Sequence, residues 1–365
     1  MKYFNALIKP ASSRCNLRCK YCFYCDVADH RQIQDYGIMT DKTMKSIIDK
    51  VLDYFKEETR ISFSFQGGEP TVAGFDYFAG FVSYVRERKK EYHSVSYAIQ
   101  TNGYLLDDRW ASFFKKHDFL VGVSLDGFKE HHDRVRTDKN QQPTFDRVFE
   151  AIELLKEHEV DFNILTVLTN DLSQKAKELY DFYRQNNLKV IQLIPCLYGF
   201  NRETEYGLTP ENFYKFYDEL FPLWFEKMKQ GEYTSFNYFD NLITLFGGRM
   251  PHQCGSLGYC AMQFVIEANG NVYPCDFYCL DEYCVGSFTE DSIDDLISSD
   301  VLKKFLKEEK RMSSLCDRCR FRNICNGQCK RMNKAYFEQD YCALEKFMSK
   351  YEKELSYLAR LFSDR

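Results

Sequence analysis

Two spacings of apolar residues alternate along the first 195 positions. Residues 3–9 (YFNALIK) predict a strand that ends at Pro10. Residues 41–56 place Met44, Ile47, Ile48, Val51 and Leu52 on one face, the spacing of an amphipathic helix. ISFSF at 61–65 predicts a second strand, closed by a Gly-Gly turn. The alternation continues with a helix over 75–90, a strand at 95–100, a helix over 107–117 and a strand at 119–125. A helix over 144–158, a strand at 162–168, a helix over 172–186 and a strand at 190–195 complete it.

Six strands alternating with helices imply a parallel sheet covered by helices. The expected fold class is α/β, and six strands favour a partial (β/α)6 barrel of TIM type over a doubly wound sheet. Polar and cysteine-bearing segments follow the strand ends, where such folds place their sites. Residues 206–250 read as a helical bridge. From 251 the texture changes to short segments rich in cysteine, with a hairpin signal at FVIEANGNVYPC, 264–275. The expected organisation is therefore a barrel over 1–205, a bridge over 206–250, a cysteine-rich domain over 251–350 and a C-terminal helix over 351–365.

Composition narrows the function. Hydrophobic residues make up 44% of 365, enough for a sizeable core. A net charge of −5 argues against a broad basic surface for nucleic acid or anionic lipid. The N-terminal MKYFNALIKPASS lacks the apolar core of a signal peptide, and no apolar run has the length to span a bilayer. These features predict a soluble cytoplasmic protein. Fifteen cysteines in a reducing compartment point to metal or catalysis instead of disulfides. Four lie at 15–25, one is Cys196, and ten fall between Cys254 and Cys342. Aromatic residues, at 16%, suit either a core or a peptide-sized cleft.

In CNLRCKYCFYC, Cys15, Cys19 and Cys22 form a C-x3-C-x2-C triad just after the first strand. Zinc sites usually take four ligands in two close pairs, and a structural zinc loop is the competing reading. Three thiolates can instead hold three irons of a [4Fe–4S] cube and leave the fourth open. Spacing, position and Tyr21 before the third cysteine resemble the radical S-adenosylmethionine (SAM) family. The resemblance implies that the open iron binds SAM, whose one-electron cleavage yields a 5′-deoxyadenosyl radical. QGGEP at 66–70 resembles the family's turn for the SAM amino group. QTNG at 100–103 and VSLDG at 123–127 end the third and fourth strands, so Ser124 and Asp126 point at the same barrel mouth. Turn chemistry competes as the role of Asn102 and Asp126, and a solvated surface position competes for Arg136. Cys25 reads as a bystander.

The later cysteines include Cys316-x2-Cys319-x5-Cys325-x3-Cys329. With KPASSRCNLRCKYCFY, SFQGGEPT, IQTNG, VGVSLDG, FNILTV and FVIEANGNVYPCDFY, the chain resembles radical SAM enzymes carrying a SPASM domain, and most of all the anaerobic sulfatase-maturating enzymes. The resemblance implies three [4Fe–4S] clusters. Cys254, Cys260, Cys275 and Cys329 would hold the first auxiliary cluster, and Cys316, Cys319, Cys325 and Cys342 the second. Cys25, Cys196, Cys279 and Cys284 are left over, the last two being alternative ligands.

By the same resemblance, Tyr21, Gly68, Ser124, Arg136 and Leu197 contact SAM, and Tyr24 and Gln66 sit near substrate. Asp276 would be the proton acceptor; capping a turn is its competing role. The implied reaction oxidises a Cys or Ser of a sulfatase-like protein to formylglycine (3-oxoalanine). The alternative is a SPASM maturase that cross-links, epimerises or oxidises a ribosomal peptide. The implied partners are an unfolded or extended polypeptide and a one-electron donor such as flavodoxin or ferredoxin, with no nucleic acid and no membrane.

Overall fold

The computed structural model describes residues 2–200 and 204–362. In chain order the first part forms β1 (Lys2–Ile8), α1 (Phe23–Asp29), α2 (Asp41–Tyr54), β2 (Thr59–Phe65), α3 (Phe75–Arg88), β3 (His93–Thr101) and α4 (Asp108–Lys116). Next come β4 (Phe119–Ser124), α5 (Lys129–Val135), α6 (Phe145–Glu157), β5 (Phe162–Leu168), α7 (Ala176–Gln185) and β6 (Val190–Pro195). The remainder forms α8 (Pro210–Lys229), β7 (Ser235–Phe236), α9 (Asn237–Phe246), β8 (Val265–Ile266), β9 (Asn271–Tyr273), β10 (Gly286–Ser287), α10 (Ile293–Ser298), α11 (Asp300–Lys307), α12 (Arg322–Cys325) and α13 (Ala343–Leu361). All six strands expected before residue 196 form within two residues of their predicted bounds.

Two compact units share the chain, and both are discontinuous in sequence. The first gathers residues up to 124, 133–162 and 262–308. In it β1, β2, β3 and β4 pair in parallel in that order. β2 shows how the sequence selects its face: Ile61, Phe63 and Phe65 are buried while Arg60 is exposed. Phe65 meets Phe78 and Phe81 edge-on at 4.9 and 5.0 Å, which fixes α3 on the sheet. α2 buries the five apolar residues predicted for its face, and Thr40 caps it by accepting from Thr43 N. The hairpin signal also forms, as antiparallel β8 and β9. β8 lies parallel along the free edge of β1, pairing Leu7 with Val265. Residues 262–308 thereby pack with the unit that holds the first cysteine loop.

The second unit comprises 125–132, 163–261 and 309–365. β5, β6 and β7 pair in parallel. Its aromatic core joins α8, α9 and α13: Trp224 packs on Phe239 at 4.8 Å, and Phe221 on Phe347 at 5.6 Å. The helix predicted over 172–186 is split, with a 3-10 turn at Leu172–Gln174 before α7. The C-terminal helix begins earlier than predicted, at Ala343, and is bent at Tyr351. The last three residues predicted for it, 363–365, lie outside the described residues. Among the described residues no helix is long and apolar enough to cross a membrane.

Candidate active site and cluster sites

The first cysteine loop leaves β1 at Ile8 and enters α1 just after Cys22. Backbone bonds hold it from both sides: Arg18 N and Lys20 N donate to Thr137 O and Val135 O at 2.7 and 3.0 Å, and Glu69 N donates to Arg14 O at 2.8 Å. The Gly-Gly turn after β2 packs directly on this loop. A Cβ on Gly68 would sit 2.3 Å from Arg14 O, and one on Gly67 would sit 2.3 Å from Lys9 Cε. Both glycines also have positive φ, so only glycine fits there. Glu69 locks the turn. Its carboxylate accepts from Thr71 N, Thr71 Oγ1, Thr101 Oγ1 and Asn102 N at 2.6–3.0 Å. Burial still raises its pKa above the usual carboxylate value, against those donors.

Around the triad the expected residues separate into two groups. Arg136 is buried at 7% exposure, with its guanidinium 3.7 Å from Cys19 Sγ and 5.5 Å from the Tyr21 ring, which is not the environment of a solvated arginine. Asn102 makes a turn bond and also reaches the cysteine loop. Its Oδ1 accepts from Tyr104 N at 3.0 Å, a turn bond, and its Nδ2 donates to Asn16 Oδ1 at 2.9 Å and lies 3.7 Å from Cys15 Sγ. Ser124 is buried at the end of β4. Asp126 belongs to the second unit, where its carboxylate accepts from Val167 N at 2.9 Å, a structural bond. Leu197 is half-buried beyond β6, also in the second unit. Cys25 is exposed on α1, and Cys196 is buried at the end of β6.

The polar centre of the first unit lies around Asp276, which follows Cys275 at the end of the β8–β9 hairpin. Tyr24 OH donates to Asp276 Oδ2 at 2.6 Å, Gln66 Nε2 to the same oxygen at 3.1 Å, and Lys9 Nζ to Oδ1 at 3.2 Å. Gln66 Nε2 also donates to Tyr24 OH at 2.7 Å. Lys9 is 2% exposed and lies 4.5 Å from the Tyr24 ring centroid and 3.8 Å from Glu267. Arg31 donates to Glu267 at 2.6 Å. Arg31, Glu267, Lys9 and Asp276 thus form a buried row of alternating charge. Burial favours neutral Lys9; Cys279, Asp276 and Glu267 outweigh it and raise its basicity. Cys279 lies fully buried, its Sγ 3.7 Å from Lys9 Nζ. Burial pushes its thiol up to about 12 although Lys9 pulls the other way. Cys284 sits apart, its Sγ 3.6 Å from Gly286 O.

Sequence reasoning missed Lys9, Arg31 and Glu267 as parts of this site. One signal was available for Lys9: it is the first residue past a parallel strand, the position from which such sheets build their sites. Replacing Lys9 with Met is expected to cost about 3–5 kcal/mol, because it leaves Asp276 without a buried cation while Glu267 keeps Arg31. Anaerobic urea denaturation of the cluster-loaded protein measures it; a change below about 1 kcal/mol would reduce the row to ordinary surface pairing.

In the second unit, Cys316, Cys319, Cys325 and Cys342 line one pocket together with Gly327, Glu345 and Met348. Cys342 also caps α13, its Sγ accepting from Glu345 N at 3.4 Å. A helix N-terminus favours negative charge at such a sulfur. Cys329 is not part of that lining. Its Cβ lies 3.5 Å from the Cβ position of Gly255, next to Cys254. Cys260 belongs to the second unit, Cys275 to the first. Among the described residues no three His, Cys, Asp or Glu side chains form a site for a single metal ion. A cube asks for something different, one thiolate at each of separate corners, and four thiols around one pocket are a donor set of that kind.

Comparison with known proteins agrees with this chemistry. Residues 10–205 match the radical SAM superfamily and residues 258–320 an iron–sulfur cluster-binding domain, SPASM. A cysteine-type anaerobic sulfatase-maturating enzyme of Clostridium novyi (strain NT) is 38% identical over 98% of this chain and 97% of its own length. The chain belongs to the anaerobic sulfatase-maturating enzymes of the radical SAM superfamily.

Within this family the serine-type enzyme of Bacteroides thetaiotaomicron is 28% identical over 88% of this chain and 81% of its own. The solved structure of native anSMEcpe with bound AdoMet and Cp18Cys peptide superposes with a TM-score of 0.89 at 34% identity, covering 99% of both chains. The expected fold class holds: α/β, a radical SAM partial (β/α)6 barrel with a SPASM region. As a radical SAM/SPASM enzyme the chain uses SAM and iron–sulfur clusters.

Proposed function

We propose that this enzyme oxidises a cysteine of a sulfatase-type sequence, presented by an unfolded or extended polypeptide, to formylglycine. The choice of cysteine over serine rests on the cysteine-type relatives, which are 37–38% identical against 27–28% for the serine-type ones. In this reading Cys15, Cys19 and Cys22 hold the SAM-binding cluster. Cys254, Cys260, Cys275 and Cys329 hold one auxiliary cluster, and Cys316, Cys319, Cys325 and Cys342 the other. Tyr21, Gly68, Ser124, Arg136 and Leu197 contact SAM. Cys25, Cys196, Cys279 and Cys284 stay outside the ligand sets. The compartment is the cytoplasm, and the electron donor is a protein such as flavodoxin or ferredoxin.

When bound, SAM and the clusters supply hydrogen abstraction at the substrate Cβ and take up the second electron. The chain's own residues manage the proton and the geometry. Asp276 accepts the substrate thiol proton at Oδ2, the oxygen that Tyr24 and Gln66 already address. Lys9 holds Oδ1, so the carboxylate cannot rotate away. Removal of one hydrogen atom, one proton and one electron leaves a thioaldehyde, and water replaces its sulfur to give the aldehyde and hydrogen sulfide.

The single observation that carries this reading is the convergence of Tyr24, Gln66 and Lys9 on Asp276, a carboxylate within hydrogen-bond reach of both expected substrate contacts. The test is incubation of the reduced enzyme with SAM and a C-x-P-x-R peptide. A mass change matching Cys to formylglycine is expected. Deoxyadenosine without modified peptide would reject the reading and favour a peptide-modifying SPASM maturase.

A further inference from the structure

Lys310 opens the segment of the second unit that carries the last cysteines. Its Nζ donates to the backbone oxygens of Gly258, Asn326 and Gln328, the last at 3.4 Å. Each of these carbonyls lies within two residues of a cysteine: Cys260, Cys325 and Cys329. Lys310 therefore sits where the loop of Cys260 meets the loop of Cys325 and Cys329. The same junction is closed by Asn326 Nδ2 on Gly258 O at 3.0 Å, and Lys310 Cε lies 3.5 Å from the Cβ position of Gly327, which lines the pocket of the four cysteines. Burial lowers the basicity of Lys310, and the thiols of Cys325, Cys260, Cys329 and Cys316 oppose that. Two of those four belong to each auxiliary ligand set proposed above.

We propose that Lys310 is a positioning cation shared by the two auxiliary clusters, raising the reduction potential of both. The inference rests on the ligand sets of the proposed function. Its physics is simple. A cluster gains a negative charge on reduction, and net charge and nearby dipoles set its potential. A fixed ammonium stabilises the reduced form, more strongly where burial weakens screening. Three carbonyls hold this ammonium in place, so it does not collapse onto either set of sulfurs. Both clusters become better acceptors for the electron that the oxidation of the substrate releases.

The test is anaerobic potentiometric titration followed by electron paramagnetic resonance on the fully loaded enzyme, with iron counted in each sample. Lys310→Gln is expected to keep the wild-type iron content and to lower both auxiliary potentials, leaving the SAM-binding cluster unmoved. Lys310→Arg is expected to restore them, since it keeps the charge. Unchanged auxiliary potentials in Lys310→Gln would overturn the inference. So would loss of auxiliary iron in both variants, which would make the lysine a clamp on the loops. Failure of the ligand assignment reads differently: the wild-type protein itself would then lack the iron of two auxiliary cubes.

Discussion

Asp276→Asn is expected to leave SAM cleavage close to wild type and to lower formylglycine yield about 10²–10⁴-fold, the usual weight of a general base. The substitution keeps the shape of the side chain. Its amide oxygen can still accept from Lys9 or from Tyr24, but the other position now carries NH2 and cannot take a proton. Tyr24 cannot take over the role: burial first, and then Asp276, raise its hydroxyl well above the ordinary phenol value. Hydrogen abstraction precedes the need for the base, so deoxyadenosine should still form while the oxidised peptide does not. Chromatography of deoxyadenosine and mass spectrometry of the peptide, run on the same sample, separate the two. Full peptide oxidation in the variant would remove Asp276 from the base role.

Replacing Cys15, Cys19 and Cys22 together with Ala is expected to abolish SAM cleavage and to remove about four of about twelve irons, one cube of three. The loop itself should survive, because its backbone is held by Thr137 O and Val135 O and by the bond from Glu69 N to Arg14 O, none of which uses a thiol. The auxiliary irons should remain. Four of their proposed ligands line a pocket wholly within the second unit, built on α12 and the capped start of α13. Anaerobic iron counting and the electron paramagnetic resonance signal with and without SAM give the answer. An unchanged count would sink the assignment of the triad.

Much of the fold was legible along the chain because its cause is local. Ile61, Phe63 and Phe65 alternate since a strand turns successive side chains to opposite faces, and Met44, Ile47, Ile48, Val51 and Leu52 recur at helical spacing since one face of α2 is buried. Candidate ligands stood out for a similar reason: Cys15, Cys19 and Cys22 crowd one short loop, so their spacing survives as a motif. The Gly-Gly turn showed itself as well, although its need for glycine comes from Arg14 O and Lys9 Cε, atoms far away in sequence.

What the sequence by itself determined, then, was the six strand–helix repeats, the reduced cysteine chemistry and the candidates for each role. The tertiary structure alone decided how they combine. The hairpin signal of β8 and β9 named no partner, and the pairing of β8 with the edge of β1 brings residues 262–308 to the first unit. That pairing places Asp276 against Lys9 across 267 positions and Glu267 against Arg31 across 236. Arg31 and Glu267 carry no local signal, and Lys9 only its place just past β1, because a buried charge is tolerated only where an opposite charge meets it, and that partner is supplied by sheet order and not by neighbours along the chain. Cys279 followed the same rule: spacing made it an alternative ligand, and only the fold buried it beside Lys9, where burial pushes its thiol up to about 12.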